Sequence, residues 1–121
     1  MSDNPITHFF SWWNQAYREH DFTPAGFARF FTADAPFIVD GAVRGTGPEA
    51  ICAHFQRIRA TTDVVTLETP VQATLADDRL AFARYAATFE GAEGAGAEEC
   101  LAVATISDGR LASFEVISRQ R

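Results

Sequence analysis

At 121 residues the chain has the length of one domain, residues 1–121, and no room for a second core. Apolar residues make up 47% and charged residues 21%, near globular averages, which disfavours disorder and a membrane-spanning class. A formal net charge of −6 without a basic cluster disfavours nucleic acid and anionic membrane surfaces as partners.

The opening segment, MSDNPITHFFSWW, has no basic n-region and no apolar run of signal length, so no secretory leader is expected. Asn4 can cap a helix with Pro5 in its first turn, where a missing N–H costs nothing. Ile6, Phe9, Phe10, Trp13, Ala16, Tyr17 and His20 then recur at helical spacing. Thr23-Pro24 reads as a second cap and first turn, with Phe27, Phe30 and Phe31 facing inward. Pro36 to Val39 is β-prone, Asp40-Gly41 is a hairpin signal, and Ala42 to Arg44 is the return strand. Thr46-Gly47-Pro48-Glu49 reads as a capping box that opens a third helix, with Ile51, Phe55 and Ile58 on one stripe and His54 beside it.

From Asp63 the period falls to two. One strand is expected through Val65, Leu67, Thr69, Val71, Ala73 and Leu75. Asp77-Asp78 turns the chain into a second strand, Leu80 to Phe89. The small-residue segment Glu90 to Ala97 (EGAEGAGA) reads as a loop, followed by a third strand over Glu98 to Ile106. Asp108-Gly109 leads to a fourth, Leu111 to Ser118. Helices gathered at one end and antiparallel strands after them predict an α+β domain. The N-terminal helices are the only lid for the sheet's apolar face, so they pack into a strongly curved, mostly antiparallel sheet, and that cone encloses a pocket. Eleven Phe, two Trp and two Tyr suit a dense core or the wall of such a pocket.

A helix ending in EHDF, a short helix ending in FFTADA, then FIVDG, GTGPEAI on a helix and four long strands resemble the nuclear transport factor 2-like, or SnoaL-like, proteins. The resemblance covers nearly the whole chain and is most specific over FFTADAPFIVDGAVRGTGPEAICAHF. It implies an apolar cone, a homodimer formed through the sheet, and acid–base chemistry without metal or organic cofactor. Its members include isomerases, dehydratases, epoxide hydrolases, polyketide cyclases and non-catalytic binding modules, so fold alone does not give the activity. Carried onto this sequence, the ketosteroid isomerase base falls at Val39, one residue before Asp40. The second carboxyl donor falls near Ala102 and Val103, and the hydroxylated ring of the first helix near Trp13. The acid that epoxide hydrolases carry on the last strand falls near Val116.

Asp40 is the first candidate for catalysis, as a base. Its competing role is the turn itself, because Asp-Gly after a strand is an ordinary turn and alternation turns Asp40 away from the face of Phe37 and Val39 unless a bulge re-aims it. An Asp40 inside an apolar pocket would have a raised pKa. His54 is the second catalytic candidate, as base or donor at the cavity mouth. Trp13, Tyr17, Phe37, Val39, Phe55 and Tyr85 are the candidate substrate-binding wall, for an apolar cyclic or aromatic small molecule. The three histidines share no ligand spacing, so no metal site is expected. Cys52 and Cys100 read as buried free thiols of a cytoplasmic protein, and Arg84 and Glu115 as outer-face strand residues.

Overall fold

The computed structural model describes residues 4–121; residues 1–3, the start of the segment in which no leader is expected, lie outside them. Helix α1 (Pro5–Glu19) starts where its cap predicts, with the Ile6 N–H donating to Asn4 Oδ1 at 3.0 Å. It ends at His20, in the left-handed conformation at φ 57°. Helix α2 (Pro24–Ala28) is capped by Thr23, whose Oγ1 accepts from the Gly26 N–H at 3.1 Å. Helix α3 (Pro48–Thr61) begins at Pro48 as expected, but not through a capping box. Its N-cap is Gly47, at φ 87°, with no side-chain cap. A Cβ on Gly47 would lie 2.6 Å from the Ala33 carbonyl oxygen, so this corner admits only glycine, and Thr46 ends the preceding strand instead.

The described strands are β1 (Pro36–Val39), β2 (Ala42–Thr46), β3 (Val64–Leu67), β4 (Ala73–Ala76), β5 (Leu80–Gly91), β6 (Gly94–Ser107), β7 (Arg110–Leu111) and β8 (Phe114–Gln120). They form one strongly curled half-barrel in the order β2-β1-β8-β6-β5-β3, with β4 also on β5 and β7 on β6. All pairings of named strands are antiparallel except β1 with β8, where Val39 lies beside Val116. The expected α+β cone is therefore the observed architecture.

Three strand expectations need correction. The strand expected from Asp63 to Leu75 is two, because residues 68–72 stand opposite only Tyr85 and Ala86 of β5. Pro70 has no N–H to give a ladder, and the arch is closed by the Glu68 and Gln72 N–H groups, each 2.8 Å from a β5 carbonyl. The segment expected as a loop, Glu90 to Ala97, is mostly strand, and β5 and β6 pair as far as Gly91 opposite Gly94. Its small residues serve the pairing: the Phe89 ring lies over Gly96, where an added Cβ would meet Cζ at 2.7 Å. The last strand is broken at Ala112 and Ser113 between β7 and β8, with the Ala112 N–H donating to Thr105 O at 2.8 Å and the Thr105 N–H donating to Ser113 Oγ at 3.2 Å.

Helices α1 and α2 and the buried face of α3 press a continuous aromatic cluster onto the concave face of the sheet. Asn14 is a rare polar group in this layer, 8% exposed. Its amide accepts from the Leu67 N–H at 2.9 Å and donates to the Leu67 carbonyl at 2.8 Å, pinning β3 to α1. Asn14→Ala strands both backbone groups, and chemical denaturation should show a loss of about 1–3 kcal/mol. A loss under about 0.5 kcal/mol would show that water replaces both bonds.

Candidate functional site

Burying the sheet under so many rings does not fill the cone. Alanines at positions 81, 83, 87, 102 and 104 occupy the concave face of β5 and β6, and Ala87 leaves room beside the ring of Tyr85. A cavity of about 310 Å³ is left between α1, α3 and the sheet. Phe9, Phe10, Trp13 and Phe114 wall it on one side, and Val65, Leu67 and Ile58 on another. Its polar residues are Asp40, Arg44, His54, Tyr85, Glu98, Cys100 and Ser118.

Asp40 forms the turn and reaches the cavity rim as well. It sits at φ 49°, with its N–H donating to Val116 O at 2.9 Å. That left-handed turn folds the carboxylate back over β8, where Oδ1 accepts from the Ser118 N–H at 2.8 Å and Oδ2 from the Ser118 hydroxyl at 2.7 Å. Ser118 follows Val116 by two residues and so shares its cavity face. The side chain is exposed, and the two Ser118 bonds hold its pKa below the usual carboxylate value. A buried, high-pKa aspartate is not what forms here, because the turn offers the charge two donors and open solvent.

His54 lies on α3, half-buried against Phe37 and Phe55, with ring centroids 5.9 and 5.0 Å away. Burial lowers its pKa from 6.5, and the charges of Arg57 and Arg44 add to that effect. The imidazole is therefore neutral at pH 7 and free to accept a proton. Arg44 reaches the cavity through a bulge. Phe37 pairs with Gly45 and Ile38 with Val43, so Arg44 is the unpaired residue of β2.

Tyr85 lies on β5 directly opposite Cys100 of β6, and Cys100 lies opposite Ser118 of β8. With Asp40 bonded to Ser118, a polar row crosses the inner face: Tyr85, Cys100, Ser118, Asp40. Burial first, then the Cys100 thiol and Glu98, keep the Tyr85 phenol well above its ordinary pKa, so it stays protonated. Burial and Glu98 push the Cys100 thiol up to about 11, consistent with an unreactive thiol.

Of the residues expected on the wall, Trp13, Phe37, Val39, Phe55 and Tyr85 line this cavity, and Asp40 and His54 stand with them. Tyr17 is the exception. Its ring is buried between Trp13, Phe22 and the Arg59 guanidinium, and its hydroxyl donates to the Thr62 carbonyl, so it braces α1 against the end of α3. Arg44, Glu98 and Ser118 are cavity residues that sequence reasoning did not single out. Ser118 and Glu98 were legible in principle, since each lies two residues from a lining residue on its own strand, but Arg44 depends on the bulge. Trp13 adds a buried indole Nε1–H without an acceptor. Among the described residues no group of three or more His, Cys, Asp or Glu is placed to hold a metal ion. No described helix is long and apolar enough to cross a membrane.

The sequence model of the SnoaL-like domain matches residues 9–114. An NTF2-like protein of Anabaena variabilis superposes with a TM-score of 0.78 at 8% identity, over 97% of this chain and 88% of that one. IdmH of Streptomyces antibioticus, a candidate polyketide cyclase, gives 0.71 at 16% identity over 96% and 92%. TerC, co-crystallised with polyporic acid, gives 0.73 at 12% identity over 96% and 92%. Identities this low carry the fold and no more. No curated protein matches the sequence.

Proposed function

The chain belongs to the SnoaL-like domain family, and from that membership we propose that it is a small-molecule enzyme performing cofactor-free acid–base chemistry on an apolar cyclic or aromatic substrate. The observation that carries this reading is His54, a neutral imidazole facing an apolar cavity of about 310 Å³ beside the fixed charges of Arg44 and Asp40. A cavity of this size lies at the lower end of the roughly 300–1,000 Å³ usual for small-molecule sites. His54 takes a proton from an activated C–H of the bound ring and returns it to carbon or oxygen of the product, as an isomerase, cyclase or dehydratase requires. Asp40, ionised and saturated by Ser118, is a weak base at neutral pH and serves to fix the rim. IdmH, a candidate polyketide cyclase, and TerC, co-crystallised with polyporic acid, point in the same direction.

Proton transfer can be tested before the substrate is identified. Mono- and bicyclic compounds with acidic C–H bonds are incubated with the protein in heavy water, and deuterium uptake is followed by NMR. Uptake above the buffer rate supports the reading. Ligand binding without uptake would favour the second reading, a binding module. That alternative draws on the buried, apolar Ala102 and Val116, near which the family resemblance leads one to expect acids.

The free, buried cysteines fit a reducing compartment, so we place the protein in the cytoplasm. We also propose that it pairs with a second copy through the outer face of the sheet. Leu101 and Ile117, 54% and 60% exposed, lie opposite each other there, with Phe82 and Leu75 opposite each other beside them. Glu99 bridges Arg84 at 3.8 Å and Arg119 at 3.5 Å along the edge, so the patch offers both signs of charge to its own two-fold image. Light scattering should give twice the 13.3 kDa chain mass for the parent protein and the single-chain mass for Leu101→Arg. A monomeric parent, or an unchanged mass in the variant, would remove this interface.

A further inference from the structure

From the charges at the cavity mouth we propose that the ring compound carries a carboxylate, and that Arg44 is the residue that selects it. The proposal rests on the reading of the cavity as a small-molecule site and is independent of the proton transfer given to His54.

The bulge in β2 is what makes Arg44 a cavity residue. Phe37 and Val39 line the cavity, so Ile38 between them faces outward. An unbroken ladder from the Phe37–Gly45 pair would set Arg44 opposite Ile38, on the outer face. The bulge gives that place to Val43, which is 60% exposed, and leaves Arg44 free to turn inward. Gly45 fixes the strand at this point. A Cβ there would meet the Ala50 carbonyl group at 2.9 Å, so β2 lies directly on the first turn of α3, one turn before His54.

The cation placed this way has no partner among the described residues. Arg44 makes no ion pair there and no side-chain hydrogen bond, although Asp40 lines the same mouth. Both Asp40 oxygens are taken by Ser118, and those two bonds outweigh Arg44 in lowering the carboxylate's pKa. Arg57, the other cation that acts on His54, is exposed on α3 and does not line the cavity. Arg44 therefore presents a free guanidinium at the entrance, a planar fork that fits the two oxygens of a carboxylate.

The other charged wall group sets the direction of binding. Glu98 is on β6, separated from β2 by β8 and β1. It repels an anion from the far side of the mouth, while Arg44 attracts it on the near side. The inner end, walled by Phe9, Phe10, Trp13 and Phe114, offers no cation to offset a buried carboxylate. The ring thus enters first, and the carboxylate stays at the rim against Arg44, with the near edge of the ring beside His54.

The probes are 2-naphthoate and 2-naphthamide, which share a bicyclic frame and differ in charge. Affinities are measured by titration calorimetry at neutral pH, in low and in high salt. In low salt Arg44→Gln should weaken naphthoate binding about fivefold and change naphthamide binding by less than about twofold. High salt should weaken naphthoate binding to the parent and have little effect on Arg44→Gln. Arg44→Lys, which keeps the charge but not the fork, should fall between the two. Retained naphthamide affinity shows that the variants are folded and the cavity intact. An equal loss for both probes, no loss for either, or a salt effect that survives in Arg44→Gln would overturn the assignment. Binding of neither probe by the parent would remove the cavity reading and the carboxylate with it. His54→Gln should still bind naphthoate more tightly than its own Arg44→Gln double variant does. Absence of deuterium uptake, which sinks the proton transfer, is thereby kept apart from absence of carboxylate selection.

Discussion

His54→Gln is expected to lower the turnover of any ring compound the protein converts by about 10²–10⁴-fold, with the melting temperature nearly unchanged. Glutamine keeps a similar size and hydrogen-bonding capacity but cannot take up a proton. The half-buried setting of His54 makes a large stability change unexpected, since no buried ion pair is broken. The pH profile gives an independent check. Burial, with Arg57 and Arg44, lowers the pKa of His54 from 6.5, so the active neutral form persists into mild acid. The acid limb of kcat/KM should therefore have its midpoint below 6.5, and Arg44→Gln should move that midpoint upward. Stability follows the same sign. Between the two pKa values the unfolded chain holds the proton that the folded chain does not, so the contribution of His54 is complete above 6.5 and is lost as pH falls through the folded value. A fully active His54→Gln variant would remove the imidazole from the chemistry.

Phe27→Ala should be the most destabilising single substitution proposed for this chain, at about 3–5 kcal/mol. Phe27 is fully buried, and its ring is stacked on Phe55 at 5.7 Å and edge-on to Trp12 at 4.9 Å. Phe9, Phe22 and Phe31 surround it, at centroid distances of 6.1, 5.3 and 6.4 Å. Its neighbours come from α1, α3 and the segments on either side of α2, so no single element can move to close the void. At roughly 4 °C per kcal/mol for a domain of this length, the melting temperature should fall by about 12–20 °C. Phe27→Leu retains much of the volume and should cost less than about 1.5 kcal/mol. Because Phe27 lies outside the cavity wall, a folded Phe27→Leu should keep ligand affinity. Equal stability of Phe27→Ala and the parent would mean that the aromatic cluster repacks freely.

These two residues mark how far the sequence could be read. The helical spacing from Ile6 to Tyr17 and the Thr23-Pro24 start place Phe27 and its neighbours inward without any coordinates. The stripe of Ile51, Phe55 and Ile58 likewise sets His54 at the edge of α3. Alternation along β5, β6 and β8 gives the inner faces, and with them Tyr85. Strand ends were less legible. Pro70 and the arch at residues 68–72 interrupt a pattern whose period alone reads as one strand, and the glycine-rich turn between β5 and β6 pairs because its smallness admits Phe89.

The sequence by itself determined the α+β cone, its aromatic filling and the turn at Asp40-Gly41, because these follow from local spacing and backbone preference. Only the tertiary structure decided how Asp40 is held. Its carboxylate is held ionised by two bonds from Ser118, a residue 78 positions away, brought beside it by the parallel pairing of β1 with β8. The same long-range pairings align Tyr85, Cys100 and Ser118 across three strands, and a one-residue bulge swings Arg44 to the rim. The register of β5 against β6 follows from the tight turn between Gly91 and Gly94, but that of β1 against β8 joins segments with no shared turn and is set by packing of the whole sheet.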